Sequence, residues 1–290
     1  MLQHYAMNKN YDSISPSARS LLIMKAHTDI PFAEEAAAML PKEGTAGIED
    51  NSNALGYWVR VLHFEGRYKS IDMLMQDIDT KSVLEISSGF SFRGLDMVLH
   101  HPVHYIDTDL PGVIETKAAF IADMLPDPAA QKGILETLPM NAVDKKEFEE
   151  VTSRFAEGPV TVVNEGLMMY LDTEEKKKLC ANVHKLLKEH GGYWITADVY
   201  VKGLDEQRRA VTSSAREEQF FAAHNIEENK FESYEQAEVF FREQGFELDK
   251  EAVIDYTQMS AVKHIMPLLP PDYESRPLPK MQATWRLKAI

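Results

Sequence analysis

Apolar positions recur along this chain in two different rhythms. Through residue 80 they fall at helical spacing, with Leu21, Leu22 and Ala26 following Ser15 and Pro16, a cap residue and a proline suited to a first helical turn. A second helical pattern runs from about Asn53 to Met75, and Pro41, Gly44 and Gly47 separate the two, because proline lacks a donor and glycine favours turns. No strand is expected in this portion. From Ser82 onward short β-rich runs alternate with helical segments, the signature of crossover units and a parallel sheet. The expected strands are Val83 to Ile86, Val103 to Ile106, about Gly133 to Leu138, Val160 to Val163, Tyr193 to Ala197, Phe246 to Ile254 and Ala283 to Leu287. The expectation is an α/β, doubly wound, seven-stranded and mostly parallel sheet. Residues 1–80 form an N-terminal helical cap of the same domain, 81–290 the α/β domain, and about 202–243 a charged helical insertion.

Boundary signals support this division. Asp172 and Glu175 have capping-box spacing, and Leu179, Val183, Leu186 and Leu187 give the helix after them one apolar face that ends at Gly191. Pro111 opens another helix, and Gly245 ends the one that carries Phe240 and Phe241.

Ligands of open parallel sheets bind beyond the carboxyl ends of the strands, so the residues just past each strand matter most. The first strand runs into the small-residue turn Ser87-Ser88-Gly89, which lets a ligand approach the backbone. The second ends in Asp107-Thr108-Asp109, and Asp109 lies 20 residues after Gly89, the interval at which an acid meets ribose hydroxyls. Asp107 is close enough to leave that choice open. The fourth strand ends at Asn164-Glu165, with Tyr170 shortly after.

Composition narrows the partners. With 46 acidic against 31 basic side chains, the charge of −15 opposes the counterion-release term that drives binding to phosphate backbones, so nucleic acid is not an expected partner. The single cysteine, Cys180, cannot form an internal disulfide, which fits a cytoplasmic address. No stretch reads as a signal peptide or a membrane span. His100, His101 and His104 flank Pro102 without supporting ligands, and no metal is expected.

The segments GYWVRV from Gly56, VLEISSGFSFRG from Val83, YIDTDLPGVIETK from Tyr105 and NEGLMMYLDTEEKKKL from Asn164 resemble the leucine carboxyl methyltransferase family. That family belongs to the class I S-adenosylmethionine-dependent methyltransferases and includes bacterial small-molecule and polyketide O-methyltransferases. The similarity spans about Lys25 to Leu179. It implies a class I methyltransferase fold, Rossmann-like, with S-adenosyl-L-methionine as cofactor and S-adenosyl-L-homocysteine as product. It further implies that Lys25 and Arg60 hold the methionine carboxylate, with Arg60 also facing the methyl acceptor. Ser87, Ser88 and Gly89 lie under the cofactor, Asp109 meets the ribose, Asn141 with Ala142 meets the adenine, Glu165 the methionine amine, and Tyr170 lines the acceptor pocket. The chain departs from the family in having Ser87 where a glycine is usual, and Asn141 where an acid is.

The expected function is O-methylation of a carboxylate or hydroxyl of a small molecule, with Arg60 and Tyr170 as catalytic residues. A carboxylate is a nucleophile at neutral pH and needs a cation and a donor, whereas a phenol also needs a base, for which His27, His63 and His224 are candidates. Carboxyl methylation of a protein C-terminus, and a non-catalytic protein that kept the fold, are the alternatives. A nicotinamide dehydrogenase is disfavoured because its three-glycine fingerprint is absent.

Overall fold

The computed structural model describes residues 15–41, 55–125, 127–203, 219, 221–270, 280 and 282–290. Gly44, Gly47, the start of the second helical pattern at Asn53, and much of the expected insertion lie outside the described residues.

The cap consists of α1 (Ser15–Lys25), α2 (Ala33–Ala38) and α3 (Leu55–Met75). The sheet domain then alternates β1 (Ser82–Ile86), α4 (Arg93–His100), β2 (His104–Asp109), α5 (Pro111–Met124), β3 (Ile134–Pro139), α6 (Lys145–Thr152), β4 (Val160–Asn164), α7 (Thr173–His190) and β5 (Gly192–Tyr200). It closes with α8 (Tyr234–Glu243), β6 (Phe246–Glu251), the short α9 (Val262–Ile265) and β7 (Gln282–Ala289). The seven strands lie in the order β3-β2-β1-β4-β5-β7-β6. Strands β1 to β5 run parallel, and β7 is antiparallel to both β5 and β6. The result is the doubly wound, mostly parallel seven-stranded sheet expected from the sequence, with strand order reversing between β1 and β4.

Burial explains why these segments pair. Every residue of β1 and of β4 is buried, as central strands covered on both faces require. The pleat then sorts side chains: Leu84, Ile86, Val162 and Trp194 enter one core with Leu179, Val183 and Leu186 of α7. Val83, Tyr105, Val163 and Ile195 enter the opposite core with Ile71 and Leu74 of α3. Each fully buried large aliphatic side chain contributes about 1.5–3 kcal/mol. Helix α7 begins at the Asp172/Glu175 capping box, with both reciprocal bonds made, and stops at Gly191, which adopts φ +74°.

Three strands end three residues from where the hydrophobic pattern ends them. β2 continues past Ile106 to Asp109, because Asp107 is fully buried in an ion pair with Lys117 of α5, Nζ to Oδ2 2.8 Å. That pairing lets a charge occupy an interior strand position. Burial raises the Asp107 pKa, with the Lys117 charge opposing the shift. β5 continues to Tyr200, since a register shift between Thr196 and Val199 keeps it paired with β7. β6 ends at Glu251, and Val253 beyond it is 82% exposed.

The cap is packed where it bears on chemistry. Leu22, Ile23 and Ile30 cluster with Phe90, Phe92 and Val113, residues just past the carboxyl ends of β1 and β2. Helix α1 is thereby a roof over that end of the sheet. Among the described residues, no helix is long and apolar enough to cross a membrane.

Candidate functional site

Beyond the carboxyl ends of β1 to β4, under α1, a cavity encloses about 1020 Å³ including its open mouth. This is where strand order reverses, the expected place for a ligand in an open α/β sheet. Its wall includes Lys25, Ser87, Ser88, Gly89, Asp109, Asn141, Ala142, Glu165 and Tyr170, all singled out from the sequence. Segments about eighty residues apart, from Ser87 to Tyr170, meet here because each lies at the end of a strand of one sheet, and Lys25 joins them from α1.

The turn after β1 is held from two sides. Ser87 and Gly89 adopt φ +51° and +50°, the left-handed region, so the position where the resembling family has glycine does require a glycine-like backbone. Ser88 N–H donates to the Thr108 carbonyl at 2.8 Å. Gly89 N–H donates to Asp109 Oδ2 and Leu110 N–H to Asp109 Oδ1, each at 2.7 Å. Each oxygen of that carboxylate retains a further lone pair for a ligand hydroxyl. Burial raises the Asp109 pKa, and its two backbone donors oppose the shift. An added Cβ at Gly89 would lie 3.7 Å from the Ala18 Cβ, so α1 rides directly above the turn.

Behind the turn lies a network that sequence reasoning missed. Arg93 Nη1 donates to Glu85 Oε1 at 2.9 Å, its Nε to Asp72 Oδ1 at 2.8 Å and its Nη2 to the Tyr68 carbonyl at 3.2 Å. The guanidinium also sits 3.9 Å from the Tyr68 ring centroid. Arg93 thereby ties β1, α3 and the start of α4 into one unit. Arginine two residues after a strand-turn serine carries no sequence signal of its own.

At the other end of the cavity Glu165 Oε1 accepts from Lys25 Nζ at 2.7 Å, Arg67 Nη2 at 2.9 Å and Arg67 Nε at 3.1 Å. Burial alone would raise the Glu165 pKa, but the Lys25 and Arg67 charges outweigh it and hold the carboxyl at about 2. Burial lowers the Lys25 pKa, with Glu165 opposing. Burial also disfavours the Arg67 cation, yet Tyr200 and Glu165 over-compensate and raise its pKa. Two cations thus face one carboxylate. Glu165 Oε2 is buried and has no hydrogen-bond partner among the described residues, and Ser88 Oγ is in the same condition. Buried polar atoms of that kind are costly unless a ligand satisfies them.

Arg67, not Arg60, supplies the guanidinium of this cavity. Arg60 lies two helical turns earlier on α3, half-buried and outside the cavity wall. Both residues are on one helix face, so periodicity alone does not choose between them. The resemblance pointed to Arg60, and the depth at which α3 crosses the sheet brings Arg67 to Glu165 instead.

At the adenine end expected from the resemblance, Asn141 Oδ1 accepts from Val143 N–H at 3.2 Å and the Ala142 carbonyl accepts from Asn182 Nδ2 at 3.0 Å, which fixes this turn against α7. Tyr170 ends the single turn Met168–Tyr170 and is hydrogen-bonded to Ser17 of the roof, and burial raises its pKa. The Tyr170 ring is 6.1 Å from that of His224. His63 Nε2 is 3.1 Å from the Tyr200 hydroxyl, and His27 packs edge-on against Trp58. Cys180 is buried, and burial raises its pKa, which leaves no reactive thiolate. Among the described residues, no three His, Cys, Asp or Glu side chains are grouped as metal ligands.

No protein-family model and no curated protein matches the sequence. Solved structures do match. A DUF574 family protein from Streptomyces avermitilis superposes with a TM-score of 0.53 at 14% identity, over 94% of this chain and 97% of that one. Magnesium protoporphyrin IX methyltransferase from Synechocystis, with SAH bound, gives a TM-score of 0.49 at 8% identity, over 94% of this chain and 100% of that one. An O-methyltransferase family protein from Burkholderia thailandensis gives 0.47 at 13% identity, over 95% and 71%. These are likenesses of fold.

Proposed function

We infer that this chain is an S-adenosylmethionine-dependent O-methyltransferase acting on a carboxylate or hydroxyl of a small molecule. One observation carries the reading. The cavity at the β1/β4 reversal ends in Lys25, Arg67 and Glu165, and Glu165 Oε2 is buried without a partner. A zwitterionic amino-acid group suits this end: its ammonium would satisfy Oε2, and its carboxylate would balance the second cation. Asp109 would take the ribose hydroxyls on its remaining lone pairs, Asn141 and Ala142 would border the adenine, and the Ser87-Ser88-Gly89 turn would admit the chain between them.

When bound, S-adenosylmethionine supplies an electrophilic methyl group for in-line transfer to a nucleophilic oxygen. The protein's own part is positioning, which accounts for about 7–11 kcal/mol of barrier in well-oriented reactions. Helix α1 excludes water from above, and its Ser17 holds the Tyr170 hydroxyl. Tyr170 is the proposed donor to the acceptor oxygen, and Arg60, outside the cavity wall, is the proposed cation toward the acceptor's approach. A carboxylate acceptor needs no base, because it is ionised at neutral pH.

One observation favours a second reading, a methyltransferase fold without turnover: Ser87 occupies a left-handed backbone position. The Gly89 to Asp109 bond is nevertheless made. Incubation with methyl-labelled S-adenosylmethionine and a panel of small carboxylic acids and phenols separates the two. Label in an organic-extractable ester or ether supports transfer, and cofactor binding without transfer to any acceptor supports the second reading.

A further inference from the structure

Asp198 lies in β5 at the register shift between Thr196 and Val199, only 2% exposed and outside the cavity wall. Its carboxylate is held by the loop after β4 and by the last residue of that strand. Oδ1 accepts from Gly166 N–H at 2.5 Å, and Oδ2 from Leu167 N–H at 2.7 Å, Met168 N–H at 3.1 Å and Asn164 Nδ2 at 2.6 Å. Asn164 is in turn fixed by Trp194, whose Nε1 donates to its Oδ1 at 2.7 Å. Three consecutive backbone donors converging on one anion form a nest, and Gly166 at φ +78° makes the bend that aims them.

The residue immediately before that nest is Glu165. The loop also bears on its partner: a Cβ added at Gly166 would lie 3.3 Å from Arg67 Nη2. Tyr200, two residues beyond Asp198 in β5, accepts from Arg67 Nη1 at 3.0 Å. The end of β5 therefore grips Glu165 through its loop and Arg67 through its guanidinium.

We propose that Asp198 is a positioning residue for the cavity, holding the loop after β4 so that Glu165 Oε2 is presented to the ammonium of an amino-acid-bearing ligand. This rests on the proposed cofactor reading, and it adds the residue that makes the site selective for the amino-acid half of that ligand. Asp198 touches no ligand itself. Its substitution should weaken ligands that carry an amino-acid end and spare those that lack one.

The test compares dissociation constants for S-adenosylhomocysteine and 5′-methylthioadenosine, which share adenosine and thioether but differ in the amino-acid end. Wild-type protein is measured first, and failure to bind S-adenosylhomocysteine would overturn the cofactor reading and the proposal with it. Given wild-type binding, Asp198→Asn should weaken S-adenosylhomocysteine about tenfold or more, as misplacement of a binding group does, while methylthioadenosine changes less than about twofold. Equal loss of both ligands, or loss of neither, overturns the proposal and leaves the cofactor reading intact. If Asp198→Asn does not fold, Asp198→Glu carries the same comparison, because it keeps the charge and moves it by one methylene. Failure of both variants to fold assigns Asp198 a structural role only and overturns the proposal.

Discussion

Lys25 Nζ and Glu165 Oε1 lie 2.7 Å apart across 140 residues of sequence, and this buried ion pair latches the roof helix α1 to the floor of the cavity. Removing one partner of such a pair leaves the other charge uncompensated, at a cost of about 3–5 kcal/mol. Glu165→Gln should therefore lower the midpoint of urea unfolding and weaken S-adenosylhomocysteine binding together. The pH dependence has a definite sign. The folded Glu165 pKa of about 2 is below its ordinary 4.5, so its contribution is complete above pH 4.5 and is lost as pH falls toward 2. Acid titrations of stability should be steeper in that window for wild type than for Glu165→Gln, and identical slopes would exclude a stabilising role for the pair.

Arg67 and Arg60 differ in what they touch. Arg67 makes two bonds to Glu165 and one to Tyr200, whereas Arg60 is outside the cavity wall. Hydrogen bonds to charged groups are worth about 1.5–3 kcal/mol, so Arg67→Ala should weaken cofactor binding by about ten- to a hundredfold. Arg60→Ala should affect cofactor binding less and act on KM for the methyl acceptor. Calorimetric titration of the two variants checks this, and the reverse order of effects would restore Arg60 as the cofactor clamp.

Ser87 occupies φ +51°, a conformation that costs an ordinary L-residue about 1–2 kcal/mol. Glycine relieves that strain but has a freer unfolded chain, which returns about 0.4–1 kcal/mol. Ser87→Gly should thus stabilise the protein by about 0.5–1 kcal/mol, a rise in Tm of roughly 1–3 °C, without loss of cofactor affinity. A fall in Tm would show that the Ser87 side chain contributes more than its backbone costs.

The sheet was legible because its central strands carry apolar runs and helices between them carry boundary signals, such as Pro111 at the start of α5 and the Asp172/Glu175 box of α7. The boundaries that failed did so for tertiary reasons. Asp107 ended the expected second strand, and only the Lys117 partner on α5 explains why it does not end the real one. Likewise Tyr200 joins β5 through its pairing with Gln282 of β7, more than eighty residues distant. Cavity-wall residues at or just past strand ends, such as Asp109 and Glu165, were readable from position. Arg67, Arg93 and Asp198 were not, because each acts across elements that only folding brings together, and arginine or aspartate within a helix or strand carries no local signal of that.

Lys176 of α7 donates to the Asn229 carbonyl and lies 5.3 Å from the Phe231 ring centroid, holding the segment whose Asn229 also bonds the Met169 carbonyl at 3.1 Å. Burial pulls its pKa down from 10.5 to about 8. A lysine whose folded pKa is depressed makes stability rise with pH between the two values, since the unfolded state there binds more protons. Wild-type stability should accordingly gain from pH 8 to 10 relative to Lys176→Met, in which that increment should be absent. Parallel pH profiles for the two proteins would show that Lys176 keeps its ordinary pKa.

The most direct test of the account is calorimetric titration of the purified protein with S-adenosylhomocysteine, which needs no knowledge of the acceptor. Saturable one-site binding with a micromolar dissociation constant, weakened in Glu165→Gln, is the predicted result. Absence of binding at millimolar ligand would contradict it, and would mean that the Ser87-Ser88-Gly89 turn and the Lys25-Arg67-Glu165 cluster no longer form a cofactor site.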